Sequence, residues 1–283
     1  MTRAPRLTRF LRGFFRRWTA PLGLLILLLV LAMALSAPYV FPEDPFSMVT
    51  RPLQWPGENR AYLLGSDMLG RDILAGIFHG ARVSLAIGGI ATAAALGAGV
   101  LVGALAGYYG GLMDDLLMRA TDAFQTIPPF VFVIVVVVIA RPSVASIIMA
   151  IALVSWPAMA RLVRAEFIAL RHREFVQACR AVGMGDSRII FRQILPNAAA
   201  PIIVTASIMV ATAILTESAL AFLGLGDANV MSWGSMIGAG REMLRTDWYL
   251  TAIPGIAILL TVLALNLIGD GLNDALNPKL RDL

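Results

Sequence analysis

The chain has 283 residues, 58% of them hydrophobic and only 14% charged, with a mean hydropathy of +0.78. Soluble domains carry about 25% charged residues to wet their surface, so this composition excludes a soluble globule and predicts an integral membrane protein. The formal net charge is +5, and a single cysteine, Cys179, excludes an internal disulfide and a multi-cysteine zinc site.

The chain opens on an arginine-rich leader (Arg3, Arg6, Arg9, Arg12, Arg16, Arg17) and a first apolar run, Leu22–Val40. A basic start, an apolar stretch and the small residues around Ala34-Leu35-Ser36 also describe a cleaved signal peptide. The long leader and the extension of the run to Phe41 favour a retained helix. Residues 41–83 follow, turn-rich at first (Pro42, Pro45, Pro52, Pro56, Gly57) and then helical in pattern. The second span, Ser84–Tyr108, carries Gly99, Gly103 and Gly107 four apart, a face that lets another backbone approach closely.

A third span, about Ala123–Ala140, should kink at Pro128–Pro129. Before it stand Asp114, Asp115, Arg119 and Asp122. The spacing of Asp115, Arg119 and Asp122 predicts pairing along one helical face at the membrane surface. Val144–Ala160, about Ala198–Leu223 and Tyr249–Gly269 complete six spans. The segment Gly224–Trp248 is poor in charge and suits a stretch that dips into the interface where protein buries it.

Six spans place both ends of the chain on one side. That side then holds sixteen of the 23 basic residues, because the loop between spans four and five adds Arg161, Arg164, Arg171, Arg173, Arg180, Arg188 and Arg192. The excess predicts a cytoplasmic location for both termini and for this loop, and accounts for the pI near 10.0 without nucleic acid.

Ionisable groups are expensive inside a membrane, so Glu217 in the fifth span stands out. It is a candidate for the translocation pathway or a gate. The other reading is a carboxylate satisfied by the hydroxyls or backbone of a neighbouring helix. Asn266 and Asp270 are weaker cases near a span end. Enzymatic readings lack their parts: His79 and His172 both fall outside the predicted spans, which removes the base of an intramembrane serine protease. The chain's one lysine, Lys279, follows Pro278 near the C-terminus, so no phosphate-binding loop is present.

The loop Arg161–Asn197 is the informative stretch. From about Arg173 it reads as a helix with the apolar stripe Phe175, Val176, Cys179 and Val182. Gly183 and Gly185 are predicted to end it as left-handed caps. Asp186 or Ser187 then caps a second helix, Arg188–Leu195, which Pro196 separates from the fifth span. Ala178, Cys179 and Ala181 are small enough for a partner to approach closely.

Gln177-Ala178-Cys179, then Gly183, then Leu195-Pro196 resembles the EAA loop of ATP-binding cassette importer permeases. In that loop Gln177 stands where Glu is usual and Cys179 where a second Ala is usual. Gly65-Ser66-Asp67-Met68-Leu69-Gly70-Arg71-Asp72 is similar to the outer segment of the dipeptide/oligopeptide/nickel branch. So are Glu217 through Gly226 with Ser232-Trp233-Gly234, and Asn266 through Asn277-Pro278. The resemblance covers nearly the whole chain, including the extra first helix of the second, C-type permease of a pair.

The resemblance implies an all-α polytopic membrane protein with about six transmembrane helices and a type I ABC importer permease fold. It implies residues 1–64 as leader, first helix and start of the outer loop, and 65–283 as a five-helix core with the coupling loop 161–197. It further implies a bacterial or archaeal inner-membrane subunit that forms half of a pathway for peptides or a related solute such as nickel. The partners would be a second permease, one or two ATPase subunits and an extracytoplasmic substrate-binding protein. ATP and Mg would sit on the ATPase, with no cofactor in this chain. Gln177, Ala178, Cys179, Gly183, Leu195 and Pro196 would then couple to the ATPase, and Gly65, Asp67, Gly70, Arg71 and Asp72 would form the outer-segment motif. From the residues alone, a self-sufficient secondary transporter or channel using Glu217 remains the alternative.

Overall fold

The structure, a computed structural model, describes residues 13–15 and 17–276. The leader arginines other than Arg17, together with Asn277, Pro278, Lys279 and Arg281, lie outside the described residues. In chain order the helices are α1 (Thr19–Val40), α2 (Ile73–Tyr109), α3 (Gly111–Gln125), α4 (Pro129–Ala140), α5 (Val144–Arg171), α6 (Glu174–Ala181), α7 (Asp186–Ile189), α8 (Leu195–Phe222), α9 (Trp233–Gly240) and α10 (Tyr249–Leu276). Among the described residues, β-pairing is confined to isolated bridges in the segment between α1 and α2.

Five of these elements, α1, α2, α5, the run Asp186–Phe222 and α10, are long and apolar enough to cross a membrane. A sixth crossing is reached only by counting α3 and α4 together, and they bend by 79°. The bend follows from Pro128–Pro129. The ring of Pro129 keeps Pro128 extended (φ −54°, ψ 130°), and Pro129 then opens α4 where a missing N–H costs nothing. With 12 residues α4 reaches roughly 18 Å, short of a hydrocarbon core of ~30 Å, so the predicted third span is not one helix.

Two other boundaries differ from the sequence expectation. Helix α2 begins at Ile73 rather than Ser84, because the Asp72 carboxylate accepts from Leu74 N at 2.9 Å and caps it; His79 therefore lies on a helix. Helix α5 runs on to Arg171, through Pro157, so Arg161, Arg164 and Arg171 are helical rather than part of a loop. Two of these arginines claim two of the three acids of α3. Arg164 donates twice to Asp114, at 2.5 and 2.6 Å, and Arg161 reaches Asp122 at 2.6 Å. Arg119 pairs with neither Asp115 nor Asp122, contrary to expectation. A guanidinium fork on a packed neighbour grips a carboxylate more firmly than a solvated partner on the same helix.

The glycine face packs as its spacing predicts. A Cβ at Gly99 would sit 2.6 Å from Cβ of Met159, and one at Gly107 would sit 2.6 Å from Cβ of Phe167. Gly103 between them meets Ala160 and Val163, so α2 and α5 touch almost backbone to backbone. Arg17 lies 3.5 Å from Asp274, and Phe14 and Ala20 pack on Ala275. The two ends of the described chain therefore meet at one end of the bundle.

Candidate functional site

The loop between α5 and α8 lies at the same end as those termini. Helix α6 buries Val176 completely, leaves Cys179 half-buried, and turns Gln177, Ala178 and Val182 outward. The predicted four-residue stripe is thus narrower than expected: Val182 is 78% exposed. Gly183 has φ +76° and ends α6 as a left-handed cap, with Met184 N donating to Cys179 O at 3.0 Å. Gly185 does not share that role. At φ −68° and ψ 149° it is itself the N-cap of α7, so neither Asp186 nor Ser187 caps that helix.

Pro196 does not separate a second helix from the span. The chain continues from α7 through a π-helical turn, Ile190–Ile194, straight into α8, with Pro196 in its first turn. A proline is accommodated there by the widened turn, in which Leu195 N bonds Ile190 O and the hydrogen-bonding ladder is already stretched before Pro196. The wide turn also rotates Ile190 and Ile194 into the core beside Ile189, while Phe191 stays 56% exposed. The Asp186 carboxylate accepts from Tyr108 Oη at 2.6 Å, and the Arg180 guanidinium lies 5.1 Å over the Tyr108 ring. Of the coupling candidates, Gln177, Ala178, Gly183 and Pro196 are exposed on one surface loop, and Cys179 and Leu195 are half-buried behind it.

At the opposite end, the motif from Gly65 to Asp72 is a tight knot. Gly65 and Gly70 have φ +78° and +80°, and side chains there would strike the carbonyls of Gln54 and Thr50. Asp67 Oδ1 accepts from Leu69 N and Arg71 N at 2.8 and 2.9 Å. Arg71 stacks on Phe46 at 4.9 Å. Burial pushes the Asp72 carboxyl above its ordinary value, against the hydrogen bonds of the helix it caps. Beside the knot lies a cavity of about 140 Å³ whose walls include Asp67, Arg71, Met231, Met236 and Leu250.

Glu217 in α8 is 2% exposed. It accepts from Ser232 Oγ at 2.6 Å and lies 3.4 Å from Ser218 Oγ. Ser232 caps α9 in a reciprocal box with Ser235, and Trp233 donates through N to Ser84 Oγ (3.3 Å) and through Nε1 to Ile77 O (3.0 Å). The carboxylate thus sits among hydroxyls that tie α9 to α8 and α2. The bonds of Tyr108 to Asp186 and of Ser232 to Glu217 were not read from sequence, where Asp186 stood only as a helix cap and Ser232 only in a family segment; the Ser-x-x-Ser spacing of Ser232 and Ser235 was the local cue.

Residues 99–282 match the family model described as "Binding-protein-dependent transport system inner membrane component". The chain is 40% identical to the di/tripeptide transport system permease protein of Pseudomonas aeruginosa, over 98% of this chain and 93% of the relative. It is 39% identical to the dipeptide transport system permease protein of Haemophilus influenzae, over 99% and 98%. With the oligopeptide transport system permease protein of Bacillus subtilis it shares 37%, over 93% and 86%. Two inward-facing crystal forms of the MetNI methionine ABC transporter share the fold, with TM-scores of 0.59 and 0.58. At 16% and 18% identity they cover 71% and 70% of this chain, and 96% and 94% of theirs. The chain belongs to the family of binding-protein-dependent transport system inner membrane components, and it is a multi-pass membrane permease, a transport subunit rather than an enzyme.

Proposed function

We propose that this permease imports di-, tri- or oligopeptides as the second, C-type member of a permease pair, driven by a separate ATPase that docks on the loop from Arg173 to Pro196. The observation that carries the reading is the loop's form. A short helix with small exposed residues and a glycine-set turn joins two long membrane helices without a flexible linker. A push on such a loop reaches α5 and α8 directly, which is what alternating access by rocking of the bundle requires.

In this reading Gln177, Ala178 and Gly183 face the ATPase, with Cys179 half-buried behind them and Leu195 and Pro196 fixing the loop onto α8. Gln177 supplies a neutral side chain where the family pattern has a carboxylate, so docking there proceeds without an ion pair. ATP and Mg belong to one or two ATPase subunits, and substrate arrives from an extracytoplasmic binding protein at the end carrying the Gly65–Asp72 knot. The arginine excess at the loop and the adjacent chain ends supports a cytoplasmic location for both termini. The peptide relatives support the substrate class, and their agreement over nearly the whole chain favours peptides over nickel.

Co-expression with the cognate ATPase tests the docking role. The intact chain should carry the ATPase through purification, and a variant lacking Gln177–Gly183 should lose it. An ATPase that stays bound to the deletion variant, with transport intact, would overturn the assignment.

A further inference from the structure

Tyr108 is the last full turn of a 37-residue helix and is 4% exposed, yet its hydroxyl and ring are both engaged by the loop. Its Oη donates to Asp186, which follows the Gly183 turn, and its ring lies under Arg180, which precedes that turn. The two arms of one turn therefore close on a single side chain of α2. Contact from one arm would let the helix swivel under load; a grip from both arms fixes its rotation as well as its position. A phenol donating to a carboxylate is a charge-assisted bond, and the cation over the ring adds a second attraction.

The far end of α2 is also gripped. Trp233 of α9 bonds Ser84 and Ile77, and a Cβ at Gly80 would meet the Trp233 ring at 2.8 Å. From Tyr108 to Ile77 the helix spans roughly 45 Å at 1.5 Å per residue. Between these two ends its glycine face packs against the side-chain roots of Met159, Val163 and Phe167 of α5, and Arg171 of α5 donates to Gly107 O at 3.1 Å. We infer that Tyr108 is the positioning residue through which movement of the loop is delivered to α2 and along it to α9. The inference rests on the importer reading above. It adds a route to that reading: α2 receives the motion through a side-chain grip, in addition to the covalent links of the loop to α5 and α8.

The test is made in the assembled importer, with the paired permease, ATPase and binding protein, reconstituted in proteoliposomes and supplied with radiolabelled dialanine. Uptake per ATP hydrolysed is the readout, which a merely structural contact would leave unchanged. Tyr108→Phe keeps the ring under Arg180 and removes the donor; Asp186→Ala removes the acceptor; Asp186→Asn keeps an acceptor oxygen. Each of the first two should lower the ratio about fivefold or more, a coupling change within the usual allosteric range. The pair together should do no worse than either, and Asp186→Asn should restore most of the ratio. An unchanged ratio in Tyr108→Phe overturns the assignment, and so does loss of the ATPase during purification, which would make the contact part of docking. Absence of ATP-driven uptake by the wild-type importer overturns the peptide-importer reading and this inference with it.

Discussion

Ser232 Oγ donates to Glu217 Oε1 at 2.6 Å, so the residue that caps α9 is itself held by a carboxylate buried in α8. The contact spans a turn-rich segment that returns the chain to the bundle, and it gives a polar group in a membrane helix a local partner. Glu217→Ala leaves the capping hydroxyl without its acceptor and should lower stability by about 2 kcal/mol. Glu217→Gln, which keeps an acceptor oxygen, should cost less. Thermal unfolding in detergent separates them; equal stability of Glu217→Ala and the wild type would remove the clasp.

The glycine face allows a sharper contrast. Gly103→Val drives a branched side chain into Ala160 and Val163 and should cost about 3 kcal/mol through overpacking. Gly97→Ala, on the same helix with open space around its Cβ, should be neutral or slightly stabilising because alanine favours helix. Similar loss at both positions in unfolding experiments would show that helix propensity, and not the α2–α5 contact, governs.

Within the loop, only one of two neighbouring glycines needs its missing side chain. Gly183→Ala forces alanine to φ +76° and should weaken the turn by about 1 kcal/mol, seen as a several-fold loss of ATPase retained on the purified permease. Gly185→Ala, at φ −68°, should retain it. Retention by both variants would argue against the turn's part in docking.

The Arg164–Asp114 pair ties α3 to α5 by two bonds, with side chains 36% and 14% exposed. Solvent screening on the arginine side keeps its worth modest, about 1 kcal/mol. A double-mutant cycle of Asp114→Ala and Arg164→Ala should return a coupling energy of that order. A value indistinguishable from zero would leave α3 held by packing alone.

Acid should loosen the Arg51–Glu58 turn that packs beside the knot at the far end. Arg51 hydrogen-bonds Glu58, and Trp55 N donates to the same carboxylate at 3.1 Å; together they hold it below its ordinary value. A lowered carboxylate contributes stability above its unfolded pKa and loses it as pH falls through the lowered folded value. Tryptophan fluorescence should therefore change on acidification with a midpoint below the usual glutamate range, and Glu58→Gln should abolish that step. Persistence of the step in the variant would assign it to another group.

Composition and hydropathy determined most of this protein by themselves. A charge-poor chain in a membrane has to satisfy its backbone within helices, so five of the spans read from their apolar runs. The glycine spacing at 99, 103 and 107 and the Pro128–Pro129 break also act through a residue's own backbone, and each appears where the sequence puts it. Gly183 as a turn was legible for the same reason, and of the small residues expected to face a partner Ala178 and Ala181 are exposed while Cys179 is half-buried.

What remained hidden depends on partners distant in the chain. Asp114 meets an arginine 50 residues away rather than Arg119, Tyr108 meets Asp186 across 78 residues, and Glu217 finds a serine beyond the end of its own helix. Helix ends moved too: Asp72 starts α2 early by a local cap on Leu74 N, whereas α5 runs on to where Arg161 and Arg164 meet the acids Asp122 and Asp114 of α3. A sequence states which side chains can pair, because that is chemistry local to each residue. Only the packed bundle decides which pairs form, because in a membrane each polar group takes the partner that tertiary contact brings within reach.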